Sequence, residues 1–207
     1  MPDNPWPVIH AEREALADDL AGLSGEQWNA PSLCAGWSVH DVVGHMVSTA
    51  RMTPPRFVGH LVGSGFNFDR MVAKDIATET AGGPAATLAA FREVMTRTTA
   101  PPGPVDAMLG EVIVHPEDIR RPLGIAHDYP IDSVVRMLDF FKKSNLLIGS
   151  KSRIAGLRLK ATDTNWTYGD GPEVSGPAHS LLMAMTGRKE ALSDLSGEGV
   201  ATLSSRN

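Results

Sequence analysis

The chain has 207 residues, of which 42% are hydrophobic and 21% charged, and its formal net charge is −5. This balance fits one globular domain, or one domain with a small appendage. It argues against a nucleic-acid partner, which normally selects a basic face. No apolar run approaches the roughly 20 residues that cross a bilayer, so no membrane partner is expected. With no signal-peptide pattern and a single cysteine, Cys34, we expect a cytoplasmic protein.

Most of the first 150 residues show the apolar spacing of amphipathic helices. Ser38 is expected to cap one of them, with Asp41 completing the capping pair. Pro116 directly follows His115 and is expected to end or kink its helix, because proline lacks an amide donor. The predicted helices cover 8–23, 38 to the prolines at 54–55, 66–80, 84–99, 104–115 and 131–148.

After Gly149 the pattern changes to short alternating segments. The predicted elements are strands over 156–161 and 166–168, a helix from 177 that ends at Gly187, a short helix over 188–195 and a strand over 200–203. The predicted fold is mainly α: an up-and-down helical bundle over 1–150, followed by a small α+β segment over 151–207.

Three side chains of the predicted bundle are of the types that bind divalent metals: His45, Glu111 and His115. On a helix, Glu111 and His115 have Cβ atoms roughly 5–6 Å apart. A third ligand from another helix would complete a three-ligand site with an open position, as in catalytic zinc centres. All three residues lie roughly 90–130° from the centres of their apolar stripes. That placement fits a shared site and also fits three unconnected surface side chains.

Four segments together carry a resemblance to a known family. Trp28–His45 reads WNAPSLCAGWSVHDVVGH, and Glu111–Gly124 reads EVIVHPEDIRRPLG. Later, Asp163–Gly171 reads DTNWTYGDG and Leu181–Arg188 reads LLMAMTGR. In their order and spacing they resemble the actinobacterial maleylpyruvate isomerase-like proteins, mycothiol-dependent members of the DinB-like metalloenzyme superfamily. The resemblance extends over nearly the whole chain.

The resemblance implies a DinB-like four-helix bundle that binds zinc, or another divalent metal, through His45, Glu111 and His115. It also implies mycothiol as cofactor or co-substrate. We therefore expect a thiol-dependent isomerase or S-transferase that acts on an electrophilic small-molecule substrate. Two alternatives remain open: a metal-dependent hydrolase, and a non-catalytic bundle that binds a metal or a small molecule. The substrate, the native metal and the oligomeric state are also open, with a homodimer among the options.

Other polar residues near these motifs have two interpretations each. Cys34 is expected to be a packed loop cysteine rather than a nucleophile or a ligand. Asp118, Arg120 and Arg121 are of the types that support ligands or hold an anionic substrate. A solvated turn with an ordinary ion pair is the favoured interpretation of these three residues.

The remaining histidines and two tryptophans are expected to have structural roles. His40 is about 140° from His45 on the helix and is expected at the surface. Trp28 and Trp37 are expected to pin the loop that precedes this helix. Structural or solvated positions are predicted for His60, His127 and His179.

Overall fold

The computed structural model describes residues 4–145 and 148–207. Its contacts divide the chain into two compact units, one ending at His127 and the other beginning at Asp128. The boundary from the sequence analysis, at 150, lies later in the chain. The difference concerns the helix that begins at Ile131, because this helix packs against a later helix of the C-terminal unit.

The long helices of the N-terminal unit lie where the apolar spacing predicts them. In chain order the helices are α1 (Trp6–Ala21), α2 (Gly25–Trp28), α3 (Val39–Arg51), α4 (Pro54–Gly63), α5 (Phe68–Thr80), α6 (Gly83–Val94) and α7 (Asp106–Leu123). Ser38 caps α3 as predicted, since its hydroxyl accepts from the amide of Asp41 and its own amide donates to the Asp41 carboxylate. Helix α6 ends at Val94 rather than at 99.

Four of these helices surround one apolar core. Helix α1 packs against α6 and α7, and α3 packs against the same two helices, which closes a ring of four. The predicted mainly helical fold is thereby confirmed. The fully buried side chains that fill this core include Ile9, Leu16, Val42, Val43, Met46, Phe91, Met108, Val112 and Ile113.

Helices α4 and α5 lie outside this ring. Helix α5 packs against α3 and α6, and α4 packs against α5. None of the residues of α4 is buried. Helix α4 is not predicted from the sequence, because the Pro54-Pro55 pair suggests the end of the preceding helix. Proline is nevertheless favoured in the first turn of a helix, where its missing amide has no intrahelical partner, and α4 begins at Pro54.

Helix α7 continues through the proline that was expected to end it. Pro116 lies inside α7, which ends at Leu123 with Gly124 in a left-handed conformation (φ 67°). The predicted helix end at His115 is therefore wrong. An internal proline removes one backbone hydrogen bond, and the packing of α7 against α1 and α3 offsets that loss. As a result, the residues after His115 remain helical, and their side chains keep regular helical positions relative to the His115 side chain.

The C-terminal unit combines short helices with a small sheet. Its elements are α8 (Ile131–Phe141), α9 (Ser150–Arg153), β1 (Arg158–Ala161), β2 (Thr167–Tyr168), β3 (Glu173–Gly176), α10 (Ala178–Met185), a 3₁₀ helix (Lys189–Asp194) and α11 (Val200–Ser204). Helix α8 ends at Phe141, whereas the predicted helix extends to 148 and includes 146–147, which lie outside the described residues. The predicted strand over 200–203 is wrong, because these residues form α11.

The sheet has the strand order β2-β1-β3. Strand β1 pairs antiparallel with β2, as predicted for two strands joined by a turn. It also pairs in parallel with β3, a strand that is not predicted from the sequence. Helix α10 packs against α8, β1 and β3, so it forms the centre of this unit. None of the described helices is both long and apolar enough to cross a membrane.

Candidate metal centre

The packing of α3 against α7 brings His45 and His115 together. Their ring centroids are 5.0 Å apart, and the rings are nearly perpendicular, at 77°. Both residues are half-buried. The structure therefore places two of the three predicted ligands side by side at the contact between two helices.

Glu111 lies one helical turn before His115 on α7. Its Oε1 atom is buried and has no hydrogen-bond partner among the described residues. Burial raises the pKa of the Glu111 carboxyl to about 8, although Arg13 and a hydrogen bond with Thr49 act in the opposite direction. Thr49 lies one turn after His45 on α3, and its hydroxyl donates to the His45 carbonyl oxygen at 3.0 Å. Glu111 is thus within reach of the α3 segment that carries His45.

The electrostatics of these residues fit a divalent cation. Burial, together with the neighbouring His115, lowers the pKa of His45 to about 3, so this imidazole is neutral at physiological pH. Neutral imidazole is the form that binds metals. A buried carboxylate oxygen without a partner is unfavourable unless a cation or a donor satisfies it. The orphaned Oε1 of Glu111 therefore fits a metal ligand.

Trp37 lies against both histidines. Its ring centroid is 5.1 Å from that of His45 and 6.4 Å from that of His115, nearly parallel to the latter. Trp37 belongs to residues 29–38, which we call the Trp37 loop. A bridge between Pro31 and Ser38 closes this loop. The expectation that Trp37 only pins the loop therefore misses its contact with the two imidazoles.

A second group of polar side chains adjoins His115 on the side of its Nδ1 atom. The Asp118 Oδ2 atom lies 3.0 Å from His115 Nδ1 and 3.0 Å from Cys34 Sγ, and Cys34 Sγ is 3.6 Å from His115 Nδ1. Asp118 is completely buried. The solvated-turn interpretation of Asp118 is therefore wrong. Cys34, expected to be a packed loop cysteine, has its thiol at the candidate site.

These three residues also form a candidate ligand group of their own. The Cys34, His115 and Asp118 ligand atoms all lie within 4.8 Å of one another, close enough to hold one ion. Among the described residues, the predicted set of His45, Glu111 and His115 is not brought within that distance, and it shares only His115 with this group. Within the Cys34, His115 and Asp118 group, however, the distances to Asp118 are ordinary for hydrogen bonds. Glu111 Oε1, which belongs to the predicted set, is among the buried atoms without a hydrogen-bond partner in the described residues.

The other polar residues of the motifs lie in ion pairs and hydrogen bonds. Arg120 is fully buried and donates to Asp19 on α1 at 2.7 Å, which corrects the solvated-turn interpretation for this residue as well. Arg121 pairs with Glu117 one turn before it. His40, expected at the surface, is half-buried and lies 2.9 Å from the Thr87 hydroxyl.

Three residues that are expected to have structural roles, Trp28, His60 and His127, contact other side chains in the structure. Trp28 is buried and meets the edge of the His40 ring. His60 lies 2.7 Å from Asp75 and His127 lies 2.8 Å from Glu12, which are the distances of hydrogen-bonded pairs.

Comparison with known proteins finds a family model that matches part of the chain. Residues 9–107 match the family model described as the mycothiol maleylpyruvate isomerase N-terminal domain. Cys34 and His45 lie inside this match, whereas Glu111, His115 and Asp118 follow its end. The search of curated protein sequences finds no match.

Two solved structures share the fold. The crystal structure of the mycothiol-dependent maleylpyruvate isomerase aligns with a TM-score of 0.69 at 15% identity, over 93% of this chain and 91% of that chain. A histidine-to-alanine mutant of that isomerase aligns with a TM-score of 0.65 at the same identity and coverage. At this identity the structural likeness concerns the fold. The family-model match over residues 9–107 and the shared fold confirm the resemblance seen in the sequence motifs.

Proposed function

We propose that this protein is a divalent-metal-binding enzyme that uses a low-molecular-weight thiol, mycothiol, in an isomerisation or S-transfer reaction. His45, Glu111 and His115 are the proposed ligands. The observation that supports this proposal most directly is the buried Oε1 atom of Glu111, which has no partner among the described residues. The match of residues 9–107 to the mycothiol maleylpyruvate isomerase N-terminal domain model supports the role of mycothiol.

The chemistry of this donor set fits a catalytic rather than a structural ion. Structural zinc sites are closed by four protein ligands, whereas catalytic sites keep a position open. Three ligands from α3 and α7 leave such a position. A bound divalent cation would favour the anionic form of a thiol, or of a water molecule, placed next to it.

The protein residues prepare this environment in three ways. His45 is held neutral by burial, so it is ready to bind without first losing a proton. Glu111 would release its proton on ligation, because its raised pKa keeps it protonated near neutral pH. Trp37 covers the two imidazoles on one side and limits the access of water there.

The proposed reaction begins with addition of the thiolate sulfur to one carbon of an activated carbon–carbon double bond, whose π electron pair moves onto the activating group and leaves a single bond. If the electron pair returns after rotation about that single bond and expels the thiolate, the product is an isomer and the thiol is recovered. If the neighbouring carbon takes up a proton instead, the carbon–sulfur bond persists and the product is an S-conjugate. The two outcomes differ in whether mycothiol is consumed, which can be measured directly.

Metal analysis tests the ligand set. Protein purified without chelators should carry about one equivalent of zinc or a similar divalent ion, and His45→Ala, Glu111→Gln and His115→Ala should each lose most of it. His60→Ala is a matched control, because His60 lies on α4 and pairs with Asp75 instead. Full metal retention in all three ligand variants would contradict the proposed site.

Cobalt substitution tests the thiol. Mycothiol added to the cobalt protein should produce a sulfur-to-cobalt charge-transfer band in the near ultraviolet, release a proton, and fail to bind after chelation. An intact cobalt site with no such band at saturating mycothiol would favour the hydrolase. Absence of turnover with thiol or ester substrates, together with retained metal, would favour the non-catalytic bundle.

A further inference from the structure

Asp118 connects the candidate metal centre with the Trp37 loop. It lies three residues after His115 on α7 and is completely buried. Its Oδ2 atom lies 3.0 Å from His115 Nδ1 and accepts a hydrogen bond from Cys34 Sγ, also at 3.0 Å. Its backbone oxygen accepts from the amide of Leu33, also at 3.0 Å. One buried residue therefore contacts a proposed ligand and two neighbouring residues of the loop.

The hydrogen bond to His115 determines which ring nitrogen is available. An ionised carboxylate only accepts hydrogen bonds, so an ionised Asp118 would require the proton between the two atoms to reside on Nδ1. The unprotonated nitrogen of the neutral ring is then Nε2. Carboxylates that accept from a ligating histidine in this way fix its tautomer and ring orientation and increase its basicity.

The contacts with the loop have a second consequence. The Leu33 amide and the Cys34 thiol are both tied to Asp118, and the amide of Trp37 donates in turn to the Cys34 oxygen at 3.0 Å. The Ser32 amide donates to the Trp37 oxygen at 2.9 Å, which closes the turn. The position of the Trp37 ring over the two histidines therefore depends on the anchoring of the loop at Asp118.

We propose that Asp118 is a positioning residue that holds His115 with its proton on Nδ1 and anchors the loop that places Trp37 over His45 and His115. This proposal rests on the proposed metal site. It differs from a metal site formed by Cys34, His115 and Asp118 themselves, in which the Nδ1 atom, the thiolate and the carboxylate would all face one ion. In the positioning arrangement those atoms bind one another, and the ion faces Nε2.

The first measurement is the tautomer of His115 in the metal-free full-length protein. Long-range proton–nitrogen correlation spectra should show His115 protonated on Nδ1 only. In Asp118→Asn the amide is able both to donate and to accept, so this single tautomer should be lost. Glu117→Gln is the matched control, because it makes the same change on the same helix, at a residue that pairs with Arg121. A wild-type His115 protonated on Nε2 would overturn the proposal without reference to any variant.

The second measurement is metal affinity by competition with a chelator. Asp118→Asn should weaken zinc binding by about 10–100-fold, whereas Glu117→Gln should bind as the wild type does. The tryptophan fluorescence of Asp118→Asn should also change, because Trp37 loses its fixed position. Unchanged affinity in a folded Asp118→Asn variant would contradict the positioning role.

The remaining outcomes separate this inference from its alternatives. A sulfur-to-cobalt band in mycothiol-free protein that disappears in Cys34→Ser would replace the proposal with the metal site at Cys34, His115 and Asp118. If the wild-type protein binds no metal, the proposed function fails. The tautomer of His115 and the fluorescence of Trp37 still test the role of Asp118 in that case, because both are measured without metal.

Discussion

The pKa values of Glu111 and His45 are shifted in opposite directions, and both shifts favour the neutral form. The pKa of Glu111 rises from 4.5 to about 8 and that of His45 falls from 6.5 to about 3, with burial as the main cause in each case. Two neutral groups in buried surroundings avoid the desolvation of buried charges. A divalent cation changes this balance, because it binds the ionised carboxylate.

These shifts predict how the stability of the metal-free protein depends on pH. Between pH 4.5 and 8, folded Glu111 retains a proton that the unfolded chain has released, so the free energy of unfolding decreases as pH rises. Between pH 6.5 and 3, unfolded His45 gains a proton that the folded state does not, so the free energy of unfolding decreases as pH falls. The two contributions oppose each other between 4.5 and 6.5, and from 6.5 to 8 Glu111 acts alone.

Thermal melting of the metal-free protein should therefore show a Tm that decreases from pH 6.5 to pH 8. The Glu111→Gln variant should lack this decrease, because its amide does not titrate. Glu14→Gln, at an exposed position of α1, serves as control and should retain it. A decrease of the same size in metal-free Glu111→Gln would show that another group is responsible.

At the residue level the sequence points to the proposed ligands but not to their surroundings. The i, i+4 spacing and the motif order point to His45, Glu111 and His115. Asp118 has a local signal, an i, i+3 position relative to His115, but the predicted helix end at Pro116 conceals it. The contacts of Cys34 and Trp37 with His115 have no local signal, since they depend on how the loop folds back onto α7.

At the level of elements, local chemistry accounts for most of the agreement and for some of the errors. The cap formed by Ser38 and Asp41 is visible in sequence because both partners lie within four residues. Strand β3 is short, and its pairing with β1 comes from contacts far along the chain. The apolar and polar residues alternate over only four positions at 200–203, which is too few to distinguish a strand from a helix. In the structure this segment belongs to α11. Tertiary packing, rather than propensity, carries α7 through Pro116.

The contact between α3 and α5 depends on a glycine next to His45. A Cβ atom on Gly44 would lie 2.6 Å from the Thr80 Cγ2 atom and 3.5 Å from the Ile76 carbonyl oxygen. We expect Gly44→Ala to destabilise the protein by about 1–3 kcal/mol, because the helices must separate or Thr80 must rotate. Chemical denaturation with two-state analysis measures this change.

Gly59 on α4 provides the matched control for this prediction. A Cβ atom there would have nothing within 4 Å. Gly59→Ala should therefore stabilise the protein by roughly 0.5–1 kcal/mol, through the higher helix propensity of alanine. If Gly44→Ala were as stable as Gly59→Ala, the close approach of α3 and α5 at Gly44 would be contradicted.

At the level of the whole molecule, the sequence pattern and the contacts divide the chain at different places. The pattern changes from helical to alternating after Gly149, which suggests a boundary near 150. The contacts place α8 in the C-terminal unit, because its apolar face packs against α10. Periodicity shows that α8 is amphipathic but does not show which partner covers its apolar side, so this boundary was outside the reach of the sequence.

Two truncated forms test this division and the location of the metal centre together. His45, Glu111, His115 and Asp118 all lie before His127, and the ring of α1, α3, α6 and α7 has its own core. A fragment of residues 1–127 should therefore fold and bind about one equivalent of metal.

A fragment of residues 1–150 should aggregate more readily than the fragment of residues 1–127, although it contains more of the chain. It retains α8 but lacks α10, so it exposes the side chains of Val134, Met137, Leu138 and Phe141, which are buried in the intact protein. Exposed apolar faces of this kind promote aggregation. We expect this longer fragment to bind a hydrophobic dye and to elute as larger species in size-exclusion chromatography, while 1–127 does neither. The opposite order of behaviour would place α8 with the N-terminal bundle, as the sequence pattern suggests.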